Sequence, residues 1–128
     1  MQKAKLDILI IDDNNLFIER MTGMIRSIEN ISIINIANDY EEARFLLENE
    51  SPDLVLLDIN LPGKNGLEIL RTIKESGYSC EVIMLSNHAD AYYRQECKNL
   101  GAKYFLDKSN DFGMVPGIIR DFQLVKSA

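Results

Sequence analysis

Short, continuous apolar runs are separated along the chain by longer stretches in which apolar residues recur at helical spacing. The apolar runs predict strands at residues 5–11, 31–37, 53–58, 81–85 and 103–106. Their apolar residues are largely consecutive rather than alternating with polar ones. Such runs are typical of strands covered on both faces, as in a parallel sheet.

The stretches between the runs predict five helices. The first is expected over residues 14–28, with an apolar face that consists of Leu16, Ile18, Met21, Met24, Ile25 and Ile28. The others are expected at about residues 41–49, 67–76, 89–100 and 111–124. Asp39 before two glutamates indicates a capped helix start, whereas Pro52 and Gly77 indicate helix ends. Pro116 fits the last helix only near its first turn.

Five strands that alternate with five helices through short connections predict an α/β fold. We expect a doubly wound parallel sheet with helices on both faces, a flavodoxin-like three-layer sandwich. Right-handed crossovers and the size of the chain favour the strand order 2-1-3-4-5. The 128 residues predict one domain over the whole chain. In this order the carboxyl ends of strands 1 and 3 lie side by side, where open α/β sheets bind their ligands.

The composition is that of an ordinary soluble protein, with 46% hydrophobic and 27% charged residues. No apolar run has the ~20 residues of a membrane span, and residues 1–7 contain no signal-peptide core. We therefore expect a cytoplasmic protein without membrane association. The net charge of −6 argues against direct binding of nucleic acid. Cys80 and Cys97 fall at a predicted buried strand and in a predicted helix, without CxxC spacing, and are expected to be reduced packing residues.

Carboxylates end two strands that the predicted order makes neighbours. Asp12 and Asp13 follow strand 1, and Asp58 closes strand 3. Three carboxylates at adjacent strand ends repel one another, so the cluster requires a compensating cation. A few hard oxygen ligands suit Mg²⁺, which binds one or two carboxylates together with phosphate oxygens and water.

Strands 4 and 5 add a hydroxyl and a cation on the other side of Asp58. Ser86 follows the fourth strand and Lys108 lies just past the fifth. Both groups can pair with phosphate oxygens, and phosphoryl transfer onto an aspartate needs a nucleophilic carboxylate, a metal, a cation and a hydroxyl. Each residue alone also has a simpler interpretation, as a helix cap, a charge at a helix start or a solvated lysine.

On these motifs the chain resembles the receiver domain of bacterial two-component response regulators. The motifs are DD at 12–13, LLDINLPGKNGLE at 56–68, LS at 85–86 and GAKYFLDKS at 101–109. The resemblance covers nearly all of residues 5–125. It implies that Asp58 receives a phosphoryl group from a sensor histidine kinase, a phosphotransfer protein or a small phosphodonor. It implies no reaction other than the domain's own phosphorylation and dephosphorylation.

The resemblance also implies a ligand set for Mg²⁺. Asp13, Asp58 and the backbone carbonyl of Asn60 would bind the ion, and Asp12 would hold a water of the metal. Lys108 would pair with Asp58 before the reaction and with the phosphoryl group after it.

A switch is implied as well. Ser86 and Asn87 would contact the phosphoryl group, and Ser86 and Phe105 match the pair that changes position. Phosphorylation adds nearly two negative charges and three acceptor oxygens. Ser86 can donate to one of them only if the loop after strand 4 shifts, which vacates space for Phe105. The face formed by helix 4, strand 5 and helix 5 would then signal to a downstream protein or a fused output domain, and a homodimer formed on phosphorylation is compatible with this.

Two residues depart from the family pattern. Asn87 stands where a small residue is usual, and we expect its side chain to restrict an attacking water or a docking protein. Ser109 stands where a proline is usual, often after a cis bond. A cis bond without proline costs ~3 kcal/mol, so the bond between Lys108 and Ser109 is either trans or strained cis.

Three other functions use similar residues. A hydrolase of the haloacid dehalogenase type has a second aspartate two residues after the nucleophile, where this chain has Asn60, and a cap domain. A flavin carrier has a phosphate-binding loop after strand 1, where the acidic pair has the wrong charge. A degenerate receiver that binds its partner without phosphorylation remains open because of Asn87 and Ser109. The sequence does not distinguish a stand-alone regulator from a receiver of a longer protein.

Overall fold

Five parallel strands form a sheet in the order β2-β1-β3-β4-β5. The computed structural model describes residues 4–87 and 91–127. The strands are β1 (Leu6–Ile11), β2 (Ile31–Ala37), β3 (Leu54–Asp58), β4 (Glu81–Ser86) and β5 (Tyr104–Asp107). The predicted fold class and strand order are confirmed.

Four of the helices connect consecutive strands, and the fifth follows the last strand. They are α1 (Asn15–Arg26), α2 (Tyr40–Glu50), α3 (Gly66–Glu75), α4 (Ala91–Asn99) and α5 (Val115–Ser127). Residues 89 and 90, which the sequence placed at the start of the fourth helix, lie outside the described residues. The last helix begins at Val115 rather than at residue 111 because a 3₁₀ turn occupies Phe112–Met114. Pro116 therefore lies in the first turn of α5, where its missing N–H leaves no helical hydrogen bond unmade.

Polar side chains fix where the helices start. Asn14, Asp39 and Asn65 each accept a hydrogen bond from the backbone N–H three residues later, at 3.0, 2.9 and 3.2 Å. Each bond satisfies a donor that the first turn of a helix leaves without a partner. The α2 helix ends at Glu50, before Pro52, as the sequence predicts.

The sheet is covered on both faces, and consecutive residues of a strand enter opposite layers. Leu6, Ile8 and Ile10 of β1 pack in a core with α1 and α5. Leu9 and Ile11 pack in a second core with α2, α3 and α4. All five residues of β3 are buried, as expected for a central strand of a parallel sheet.

One position of the predicted apolar face of α1 is wrong. Leu16 is 66% exposed, whereas its neighbour Phe17 is only 9% exposed and belongs to the core. Phe17 has the helical spacing of four residues with Met21 and of eight with Ile25, and both are fully buried. The buried stripe therefore begins at Phe17.

One edge of the sheet is the apolar strand β2. Its sequence ISIINIA contains neither a charged residue nor a proline, and Ile33 and Ile36 are exposed. Phe45 of α2, also exposed, lines a groove together with Ile36. Edge strands usually carry charges or proline, which prevent pairing with another chain, and β2 has neither.

The C-terminal half of α5 is fastened at the end of the sheet where the strands begin. The side-chain amide of Gln123, which is fully buried, donates to the carbonyl of Glu29 at 2.8 Å. Lys126 forms an ion pair with Asp53, which directly precedes β3. The ammonium of Lys126 also lies 6.0 Å from the ring centre of Phe122.

Both cysteines are free thiols in the core, as predicted. Burial raises the pKa of Cys80 and raises that of Cys97 to about 11. Little reactive thiolate is therefore present at neutral pH. In the part of the chain that the structure describes, no helix is long and apolar enough to cross a membrane.

Gly66 brings the start of α3 close to the end of β3. Its N–H donates to the carbonyl of Ile59 at 2.7 Å. A Cβ atom at this position would lie 2.3 Å from the backbone oxygen of Asp58 and 2.8 Å from the Cα of Ile59. Both are backbone atoms, so a side chain here would displace the end of β3.

We expect Gly66→Ala to lower the free energy of unfolding by ~1–3 kcal/mol, the usual cost of overpacking. Gly23→Ala is the matched control, because Gly23 lies in α1 with nothing within 4 Å of its added Cβ. That substitution should raise the free energy of unfolding by ~0.5–1 kcal/mol. Urea unfolding measures both, and equal stability of the two variants would contradict the assigned close approach.

Candidate functional site

Three carboxylates meet at the carboxyl ends of β1 and β3. One oxygen each of Asp12, Asp13 and Asp58 can be chosen so that all three lie within 4.8 Å of one another. Asp12 and Asp58 are buried, whereas Asp13 is exposed. The cluster arises because β1 and β3 are adjacent and parallel, so the residues at their ends share one edge of the sheet.

Local hydrogen bonds orient Asp12. Its Oδ1 accepts from the N–H of Asn14 at 2.8 Å, and its backbone N–H donates to Ala37 at 3.0 Å. The side-chain amide of Asn38 donates to the backbone carbonyl of Asp12 at 3.2 Å. With Oδ1 held by the turn, Oδ2 faces the interior of the site.

A single lysine ammonium lies between the two buried carboxylates. The Nζ of Lys108 lies 2.6 Å from Oδ2 of Asp12 and 3.3 Å from Oδ2 of Asp58. Lys108 is only 8% exposed, so solvent screens these pairs weakly. Its backbone N–H donates to the carbonyl of Ser86 at 2.8 Å, which fixes the lysine to the end of β4.

Asp58 is in an environment that disfavours its charge. Burial and the charge of Asp12 raise its pKa from 3.8 to about 6, against the opposing effects of Lys108 and of a hydrogen bond from Asn60. That bond joins the backbone N–H of Asn60 to Oδ1 of Asp58 at 3.2 Å. Among the described residues, three carboxylates meet one ammonium at this site, so the carboxylate oxygens form a donor set suited to a divalent cation.

The end of β4 forms the opposite side of the site. Ser86 is buried and is the residue of β4 that pairs with Asp107 of β5. Asn87 is exposed, and it lines a groove beside the carboxylates together with Lys108 and Ser109. Asn87 and Lys108 therefore line the same surface groove.

The bond between Lys108 and Ser109 is trans, since the described residues contain no cis peptide bond. The turn after β5 is held by Asp107, whose Oδ1 accepts from the backbone N–H of Ser109 and of Asn110, each at 2.8 Å. An aspartate side chain that accepts from a backbone two residues later stabilises a turn. This turn occupies the place where a proline is usual.

Phe105 lies on β5 opposite Met84, so Phe105 and Ser86 face the same layer of the molecule. Its ring packs against the core beneath α4. The guanidinium of Arg94 lies 4.7 Å from the ring centre, and its Nη1 donates to the carbonyl of Phe105 at 3.2 Å. The ring is thus covered by a cation of α4.

Phe17 belongs to the site and was not singled out in the sequence. The ammonium of Lys108 lies 4.5 Å from the centre of its ring. The ring of Phe112 meets it edge to face at 5.7 Å and 82°. The spacing of Phe17 with Met21 in α1 could have indicated its burial, but only the sheet order brings it to Lys108.

Comparison with known proteins agrees with the fold. The profile of the family described as "Response regulator receiver domain" matches residues 8–119. The transcriptional regulatory protein DegU of Brevibacillus brevis is 34% identical over 111 residues, which are 87% of this chain and 47% of that protein. The DNA-binding transcriptional activator EvgA of Escherichia coli K12 is 32% identical over 103 residues, 80% of this chain and 50% of that protein.

A solved structure shares the whole fold. The signal receiver domain of a DNA-binding response regulator from Colwellia psychrerythraea 34H superposes with a TM-score of 0.86 at 27% identity. The match covers 95% of this chain and 99% of that one. The chain spans about half the length of the two curated relatives. The sequence profile, the strand order and the acidic cluster together show that this chain belongs to the response regulator receiver domains of two-component signalling systems.

Proposed function

We propose that this receiver domain accepts a phosphoryl group on Asp58 in a Mg²⁺-dependent reaction and passes the change to a partner. The observation that carries the proposal is the cluster of Asp12, Asp13 and Asp58, two members of which, Asp12 and Asp58, pair with the ammonium of Lys108. It combines a nucleophile, a set of oxygen ligands and a cation within a few ångströms. The only reaction in this proposal is the domain's own phosphorylation and dephosphorylation.

The donor set fits Mg²⁺. Asp13, Asp58 and the backbone carbonyl of Asn60 would bind the ion, and Asp12 would hold one of its waters. Support comes from the excess of carboxylates over ammonium and from the oxygen-only chemistry of these groups. When bound, the ion supplies positive charge to the phosphoryl oxygens during transfer.

The transfer itself needs little more than positioning. An oxygen of Asp58 attacks the phosphorus of a phosphohistidine in a sensor histidine kinase or phosphotransfer protein. The new O–P bond forms as the P–N bond breaks, and the imidazole nitrogen keeps the electron pair. Lys108, 3.3 Å from Asp58 Oδ2, then exchanges its carboxylate partner for a phosphoryl oxygen.

Ser86 and Phe105 would relay the change. Asn87 and the hydroxyl of Ser86 would contact the phosphoryl group after the loop that follows β4 moves, and the ring of Phe105 would turn into the vacated space. That ring would then lose its contact with the guanidinium of Arg94, so phosphorylation would also change the surroundings of α4. The face of α4, β5 and α5 would thereby change for a downstream protein, a fused output domain or a second copy of the chain.

The first test is the intact mass after incubation with acetyl phosphate and Mg²⁺. We expect a gain of one phosphoryl group, ~80 Da, that disappears in Asp58→Asn and when EDTA removes the metal. Asp121→Asn, an exposed aspartate of α5, is the control and should gain the same mass. No gain in the unmodified chain would contradict the proposal and would favour a receiver that binds its partner without phosphorylation.

Metal binding has a separate readout in stability. Because Mg²⁺ binds the folded site, a concentration of roughly ten to thirty times its dissociation constant should raise the free energy of unfolding by about 1–2 kcal/mol. Asp13→Asn should abolish this increment without disturbing the core, since Asp13 is exposed. An equal effect of Mg²⁺ on Asp13→Asn, measured by thermal unfolding, would rule out the assigned ligand set.

Asn87 is expected to slow the loss of the phosphoryl group, because it lines the approach to Lys108. Asn87→Ala should shorten the half-life of the phosphorylated protein roughly threefold to tenfold, a barrier change of about 0.7–1.4 kcal/mol. Asn110→Ala makes the same chemical change at an exposed turn residue and should leave the half-life as it is. Decay of a ³²P label measures both, and an unchanged half-life in Asn87→Ala would refute the expectation.

A further inference from the structure

The ammonium of Lys108 lies between two buried carboxylates and an aromatic ring. It lies 2.6 Å from Asp12, 3.3 Å from Asp58 and 4.5 Å from the ring centre of Phe17. Lysine and ring are both nearly buried, at 8% and 9% exposure. A cation near the face of a ring is attracted by its negative charge density, and the attraction grows when solvent is excluded.

The start of α1 places the ring at this point. Asn14 caps the helix by accepting from the N–H of Phe17 at 3.0 Å, so Phe17 lies in the first turn. Side chains of a helix lean toward its N-terminus. The N-terminus of α1 lies beside the carboxylates at the carboxyl ends of the strands, so the ring of Phe17 leans toward them. Phe17 lies only four positions after Asp13 in the sequence.

A second aromatic side chain supports the first. Phe112, in the 3₁₀ turn before α5, meets Phe17 edge to face with ring centres 5.7 Å apart. Arg20 lies 4.9 Å from the centre of the Phe112 ring. Both ends of the contact are therefore anchored, one by α1 and one by the turn that follows Lys108.

Lysine is a flexible side chain whose single charged group has no fixed direction. In this site the ammonium lies closer to Asp12 than to Asp58, and the ring limits the space into which it can withdraw. Phosphoryl transfer to Asp58 is faster when fewer conformations of Lys108 point its ammonium away from Asp58.

We infer that Phe17 is a positioning residue for Lys108, holding the ammonium over its ring so that it reaches the phosphoryl group transferred to Asp58. The inference rests on the proposed phosphorylation of Asp58. Phe17 itself touches neither the phosphoryl group nor the metal ligands in this proposal and acts only through the lysine.

The test compares phosphorylation rates from acetyl phosphate at a temperature where every variant is folded. Phe17→Leu keeps an apolar side chain but removes the ring face, and the rate constant should fall roughly fivefold to thirtyfold. Phe17→Tyr keeps the ring and should restore the rate to within about twofold of the original, since the tyrosine ring also attracts a cation. An unchanged rate in Phe17→Leu would overturn the inference.

Phe122→Leu is the matched control. It is the same substitution in the same core layer, and its ring lies near another lysine, Lys126, at the opposite end of the sheet. We expect its phosphorylation rate to equal that of the unmodified chain. A loss equal to that of Phe17→Leu would show a general effect of lost packing and would overturn the inference.

The unphosphorylated protein supplies a second readout by NMR. The ring current of Phe17 should shift the signals of the Lys108 methylene hydrogens next to Nζ, and Phe17→Leu should return them to the positions of an ordinary lysine. The signals should stay shifted in Phe17→Tyr and in Phe122→Leu. If the unmodified chain accepts no phosphoryl group, the proposed function fails, and this signal alone decides the positioning: its movement in Phe17→Leu supports it and its absence overturns it.

Discussion

Two aspartates buried beside one lysine are the constraint on which the rest of the site depends. Burial disfavours the charge of Asp58 and the neighbouring charge of Asp12 repels it, and together they raise the pKa of Asp58 to about 6. The ammonium of Lys108 offsets part of this cost only while it stays between them. The surrounding backbone serves that geometry, through the link from Lys108 to Ser86 and the close approach of Gly66 to Asp58.

The same local device ends three of the strands. Asp12, Asp58 and Asp107 each accept a hydrogen bond from the backbone N–H two residues later. A side chain that closes its own turn leaves the direction of the chain defined without help from distant contacts. After β5 this bond, received from Ser109, fixes the turn beyond Lys108 where related proteins usually have a proline. The departure at Ser109 is therefore compensated by the residue on the other side of the lysine.

Much of this could be predicted because it depends on order along the chain. Consecutive apolar residues define buried strands, the strand order joins β1 to β3, and the carboxylates at their ends then have to meet. Contacts made by helix side chains were harder to predict from the sequence. The burial of Phe17 instead of Leu16 follows from a one-residue shift in helical phase, and its contact with Lys108 joins segments that are far apart in sequence. The late start of α5 reflects a 3₁₀ turn, which apolar periodicity does not distinguish from a helix.

The apolar edge of the sheet sets a limit on the colloidal behaviour of the chain. At neutral pH the net charge of −6 opposes association of copies, although Ile33, Ile36 and Phe45 are exposed at or beside β2, which pairs only with β1 among the described strands. As the pH approaches the isoelectric point, about 4.8, that repulsion vanishes while the apolar edge stays exposed. Mild acidification would therefore favour association through β2, at the side of the sheet opposite to β5 and away from the acidic cluster.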